Sequence, residues 1–67
     1  MKDLEIYKVH NLYIKKIKFN PDNEPIIHFT KNKYEAMLVD SDDFYTYQLV
    51  KSIIGDFITL KITKVDD

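Results

Sequence analysis

Sixty-seven residues suffice for one domain, taken as residues 1–67, since domains typically run to about 100–200 residues and the smallest self-standing ones to ~40. Ten Lys against eleven Asp and Glu leave a net charge of −1, which provides no global basic field to hold nucleic acid. The absence of Cys excludes disulfides, thiolate chemistry and Cys-based zinc sites, and a single Gly excludes a Gly-rich phosphate cradle. The start, Met1-Lys2-Asp3-Leu4-Glu5, has no apolar stretch of signal-peptide length, and no apolar run approaches ~18 residues. A soluble, intracellular chain is therefore expected. Apolar residues make up 45%, too many for disorder, and Ile, Val, Tyr, Phe and Thr are abundant while Ala occurs once, so the composition leans towards β-structure.

Residues 4–9 and 12–19 read as two strands broken at His10-Asn11. Ile6, Val9, Tyr13, Ile14 and Ile17 also fit a helical stripe, but β-branched and aromatic residues dominate and the stretch has no Ala. Asn20-Pro21-Asp22-Asn23-Glu24-Pro25 reverses the chain, so residues 26–30 should return antiparallel to the second strand. After the polar break Lys31-Asn32-Lys33, residues 34–39 are expected to be extended, although Glu35-Ala36-Met37-Leu38 also has some helical character. Ser41, Asp42 or Asp43 can cap a helix over about residues 42–54, with acids at the positive end of its dipole, Lys51 near the other end and Gly55 as its stop. Leu49, Val50, Ile53 and Ile54 form the expected core stripe, flanked by Tyr45 and Tyr47. Residues 57–65 then alternate Ile58, Leu60 and Ile62 with Thr59, Lys61 and Thr63 as a closing strand. The expected fold is α+β, a small antiparallel sheet of three to four strands with one helix on a face, in β-β-β-α-β order.

Chemistry is sparse. His10 and His28 lie on different segments with no metal-ligand spacing, Ser41 and Ser52 lack the surroundings of a nucleophile, and Asp42-Asp43 suits a helix cap better than an acid/base dyad. No catalytic residue, metal or cofactor is expected, so the chain reads as a binder and not an enzyme. One rival reading is a nucleic-acid module that stacks bases on Tyr7 and Tyr13 among Lys8, Lys15, Lys16 and Lys18. The overall charge opposes it, and strand lysines commonly protect an edge or solvate a face.

The charge is unevenly placed. Residues 1–18 carry +3 and residues 19–67 carry −4, and between Lys33 and Lys51 the charged residues are all acidic: Glu35, Asp40, Asp42 and Asp43. At ~100° per residue, Phe44 points nearly opposite the apolar stripe, with Gln48 and Lys51 as neighbours. An exposed aromatic beside Asp42 and Asp43 suits a partner-binding hot spot; the alternative is that the first turn tucks Phe44 against residues 37–39.

Ser41-Asp42-Asp43-Phe44 and Ile58-Thr59-Leu60-Lys61-Ile62-Thr63-Lys64-Val65 resemble the acidic Asp-Phe helix start and closing strand of the short uracil-DNA glycosylase inhibitors of small Bacillus phages. The resemblance covers roughly the last two-thirds of the chain. It implies a phage-encoded DNA mimic acting as a homodimer on host uracil-DNA glycosylase in the bacterial cytoplasm, without membrane or direct nucleic-acid contact. By the same resemblance, Phe44 would help capture the enzyme's DNA-intercalating apolar side chain, and Asp42 and Asp43 would stand in for phosphates. Asp40, Glu35, Tyr45, Tyr47 and Gln48 complete the expected partner surface. The chain departs from the family pattern in its near-neutral charge, in Tyr45 where an acid usually follows the Phe, and in Tyr47, one position early for the second pocket aromatic. A different inhibitor of a host defence or nucleic-acid enzyme would have the same size and acidic patch.

Overall fold

The structure is a computed structural model that describes residues 3–62. β1 (Leu4–Val9) and β2 (Leu12–Phe19) form a hairpin in which Val9 pairs with Leu12, so only His10 and Asn11 make the turn. His10 takes φ 55 there, as a tight two-residue hairpin requires at its first loop position. The loop before β3 (Pro25–Thr30) is closed by Asn20, whose Oδ1 accepts the Glu24 N–H at 2.8 Å and whose carbonyl accepts the Asn23 N–H at 2.8 Å. Pro25 opens β3 opposite Phe19, a position at which a missing N–H costs least. The β2–β3 antiparallel pair follows as expected.

β2 does not keep a uniform alternation. Ile14 pairs with Phe29 and Lys16 with His28, so Lys15 is the extra residue of a bulge. A bulge shifts the side-chain phase by one. Ile14 and Ile17, three apart, thus both contribute to the core, while Tyr13, Lys16 and Lys18 take the other face.

Residues 34–39 depart from the expected extended segment. Asn32 Oδ1 accepts the Tyr34 N–H at 2.9 Å and turns the chain into a 3₁₀ turn over Lys33–Glu35. Met37 N–H then donates to the Ile14 carbonyl at 3.0 Å, and strand β4 is confined to Val39–Asp40. β4 pairs with Leu4 and Glu5 at the start of β1, β2 pairs with its end, and β5 (Ile58–Ile62) runs along five consecutive residues of β1. A strand has two edges, so β4 and β2 share one and β5 holds the other. Both β4 and β5 are antiparallel to β1 and therefore parallel to each other, and α1 (Phe44–Ile54) is the crossover between them. The fold is thus α+β, one helix with a five-stranded antiparallel sheet. Residues 63–65 of the expected closing strand lie outside the described residues. Among the described residues, no helix is long and apolar enough to cross a membrane.

The core contains Tyr7, Ile14, Val39 and Val50, with Val9, Ile17, Ile27, Met37, Ile54 and Phe57 packed around it. On α1 the inward line is Tyr47, Val50 and Ile54, at i, i+3 and i+7. Leu49 is half-buried, but Ile53 is 43% exposed, contrary to the expected stripe. Its place one residue before Ile54 turns it about 100° from that line. Gly55 ends the helix at φ 90 with its N–H on the Lys51 carbonyl at 3.0 Å, a backbone shape that side-chain-bearing residues rarely adopt. These burial differences give a direct test. Ile14→Ala should cost ~2–5 kcal/mol of unfolding free energy, whereas Ile53→Ala should cost under about 1 kcal/mol, as read from urea midpoints.

Candidate functional site

The chain leaves β4 directly into the start of α1. Asp43 N–H donates to the Asp40 carbonyl and Phe44 N–H to the Asp42 carbonyl, each at 3.0 Å, which fixes residues 40–44 as a tight corner. Of the three possible caps, Asp43 is the one used. Its Oδ1 accepts the Thr46 N–H at 3.1 Å and its Oδ2 accepts the Thr46 hydroxyl at 2.7 Å. These two bonds, the backbone one foremost, hold its carboxyl below the usual carboxylate range. Asp43 is therefore ionised at neutral pH and fixed in place, while Asp42 is exposed and outside the cap.

Because consecutive helical side chains diverge by about 100°, the first-turn aromatics part to either side of Asp43. Phe44, 70% exposed, borders a cleft of about 180 Å³ with Glu5, Tyr7, Ser41, Asp43 and Tyr47. Tyr45, 74% exposed, borders a groove of about 320 Å³ floored by Ile17, Phe19, Met37 and Leu49, with Asp40 and Asp43 at its rim. It is Tyr45, not Phe44, that turns towards residues 37–39. Phe44 stands clear of that segment.

The first cleft has a rigid wall. The Tyr7 ring lies 4.9 Å from that of Phe57 and 6.4 Å from that of Tyr47, nearly perpendicular to the latter, and Tyr47 lies 5.2 Å from Phe57. Such tilted and edge-on contacts hold aromatic rings in defined orientations. Burial first, and then the charges of Glu5 and Asp43, push the Tyr7 hydroxyl up to about 12. A neutral phenol thus stands close to two carboxylates.

The expected partner residues are only partly brought together. Asp42, Asp43, Phe44, Tyr45 and Tyr47 gather at the helix start with Asp40 at its edge, but Gln48 is exposed and borders neither cleft. Glu35 belongs elsewhere. It sits in the 3₁₀ turn, paired with Lys15 at 3.7 Å and accepting from Thr30 and Asn32 at 3.3 Å each. Glu5 and Tyr7 complete the cleft from β1 and were not among the expected site residues. Only the pairing of β1 with β4 brings them there, and nothing local in the sequence signals that pairing.

The basic strand is less open than its sequence suggests. Lys8 lies 5.9 Å over the Tyr13 ring, Lys15 is paired with Glu35, and Lys16 is pushed below its usual range by contact with and repulsion from Lys18. Among the described residues, no group of three or more His, Asp or Glu gathers to hold a metal ion.

The chain matches no protein-family model, no curated protein and no solved structure.

The Tyr7 shift makes a prediction about alkaline pH. The unfolded phenol ionises near 10 and the folded one near 12. The stabilisation is therefore complete below pH 10 and is lost as pH rises towards 12, because the unfolded state sheds its proton first. Urea midpoints should fall across that window by an amount worth on the order of 2 kcal/mol, and Tyr7→Phe should remove most of the fall.

Proposed function

We propose that the start of α1 is a protein-docking surface that occupies the DNA groove of uracil-DNA glycosylase, in the manner of the phage inhibitors that its Asp-Phe corner resembles. The observation that carries this reading is Phe44. It is 70% exposed at the tip of an acidic corner, on the rim of one cleft and outside the core. A large apolar side chain held in water gains nothing from the fold of one protomer, and central exposed aromatics are common anchors of protein interfaces. The surrounding carboxylates supply what a DNA-binding groove attracts, and the groove beside Tyr45 offers apolar walls to a side chain that enters DNA. No reacting group of this chain is needed for such competition, so it acts as an inhibitor and not as an enzyme.

The reading is tested by uracil excision from single-stranded DNA by bacterial enzyme with a molar excess of this protein. Excision should stop near equimolar ratio, and undiminished excision would leave inhibition of another host nucleic-acid or defence enzyme as the better account. Phe44→Ala should weaken binding by ~2 kcal/mol or more. Asp42→Asn should chiefly slow association and flatten its salt dependence, as expected of an exposed charge at an interface rim. Asp43 is a poorer probe of charge alone, because its loss as Ala would also uncap the helix, at a cost of about 1 kcal/mol.

We also propose that the active species is a homodimer. Alternation along β1 directs the N–H and C=O groups of Thr59 and Lys61 away from it, so among the described residues the far edge of β5 is unpaired. On β5 itself Ile58 is 54% exposed, and Ile62 joins Tyr34 and Leu38, from the segment before β4, in an apolar groove of about 360 Å³. An antiparallel strand edge is self-complementary about a two-fold axis, so a second copy can extend the sheet and cover this surface. Sedimentation equilibrium at micromolar concentration should give twice the 8.0 kDa chain mass; a single species of chain mass would refute it.

A further inference from the structure

The cleft beside Phe44 has a lining that apolar capture does not explain. Glu5 and Asp43 bring two carboxylates to it, and among the described residues neither is ion-paired, the ion pairs being Lys15–Glu35 and Lys51–Asp56. Glu5 stands opposite Lys61 in the β1–β5 register, yet no ion pair joins them. Tyr7 is 2% exposed, and no described residue hydrogen-bonds its hydroxyl. That hydroxyl is not sealed from solvent, because no fully enclosed side-chain polar atom lacks a partner. The cleft is its outlet. Asp43 gives one lone pair per oxygen to Thr46 and keeps the others.

We infer that this cleft takes one arginine side chain of the protein partner. The inference rests on the docking surface proposed above and adds the chemistry that one of its clefts recognises. Carboxylate and phenol oxygens accept hydrogen bonds, so the occupant must donate several. Two negative charges exclude an anion, and an apolar side chain would strip them of water without compensation. A guanidinium meets every requirement. Its planar fork presents five donors and no acceptor, it is more weakly hydrated than an ammonium, and its flat face stacks on aromatic rings. Here Tyr47, braced by Tyr7 and Phe57, and the exposed Phe44 supply such faces. Lysine would satisfy the charge but not the spread of acceptors across Glu5, Tyr7 and Asp43.

The test is a titration of the isotope-labelled protein with N-acetyl-arginine methylamide, followed by backbone and tyrosine-ring NMR shifts. Saturable shifts should centre on Glu5, Tyr7, Ser41 and Phe44. The citrulline analogue, equal in shape but neutral, should leave these signals in place, and the lysine analogue should bind more weakly. Glu5→Gln, which keeps the side-chain volume, should weaken arginine binding by ~5-fold or more, given the strength of charge-assisted hydrogen bonds. Citrulline shifts equal to those of arginine, or no saturable shift at all, would overturn the inference. Equal binding by lysine would overturn the guanidinium assignment. Arginine binding by a protein that leaves the glycosylase uninhibited would refute the proposed enzyme and not the cleft, and inhibition without arginine binding would do the reverse.

Discussion

Every other element takes its position from β1. It pairs with β2, β4 and β5, and its successive residues Ile6 and Tyr7 are both buried, so neither face of this one strand is open at its middle. That is a demanding state for a chain of this size, because small domains bury only about 60% of the surface they expose when unfolded. It is achieved by splitting one edge of β1 between two partners. β2 leaves after Tyr13, and β4 occupies the vacated edge opposite Leu4 and Glu5. With β5 on the other side, the connection from β4 must pass across β1, and α1 makes that passage with Val50 set against the core that Tyr7 and Val39 begin. The helix start lies where it does because β4 ends there.

This dependence links the candidate site to the stability of the whole molecule. Asp43 caps the helix while presenting charge to both clefts, and Tyr7 is a core residue whose hydroxyl reaches one of them. Residues that serve both fold and surface hold binding groups rigid, which reduces the entropy lost on association. Phe44 and Asp42 carry no such double duty. They are the residues of the corner whose chemistry can change at little structural cost, and so the ones that the fold alone does not explain.

Much of this was legible from local sequence. Asp43 and Gly55 bracket the helix as capping rules require, the Asn20–Pro25 cluster marks a reversal, and alternation announces β5. Helical geometry pointed Phe44 away from the apolar stripe but left open whether the first turn tucks it against residues 37–39; in the structure it is exposed. What escaped was whatever depends on a partner distant in sequence. The bulge at Lys15 is invisible in an alternation that looks equally regular on either side of it. The 3₁₀ turn at Lys33–Glu35 replaces an extended segment because one side chain, that of Asn32, competes for a backbone N–H. Ile53 lies outside the core because it is turned about 100° from the line that Tyr47, Val50 and Ile54 make. Tyr7 and Glu5 belong to the cleft only through the pairing of β1 with β4.

The net charge of −1 would by itself argue against an electrostatic interaction surface. Yet exposed charges are screened over about 8–10 Å at physiological salt, so a partner approaching one corner feels that corner rather than the chain total. At the helix start the charge is that of Asp40, Asp42, Asp43 and Glu5. Of the lysines on the outward side of β2, Lys15 is neutralised by Glu35, while Lys16 and Lys18 share the face opposite the core. The sheet therefore separates two fields that cancel only in the sum. A basic partner of the kind proposed would be drawn to the helix side and repelled from the strand side, which would orient its approach before any contact forms. In that sense the near-neutral composition does not weaken a docking role for the acidic corner; the division of charge between the two faces gives the encounter a direction that an evenly acidic chain would lack.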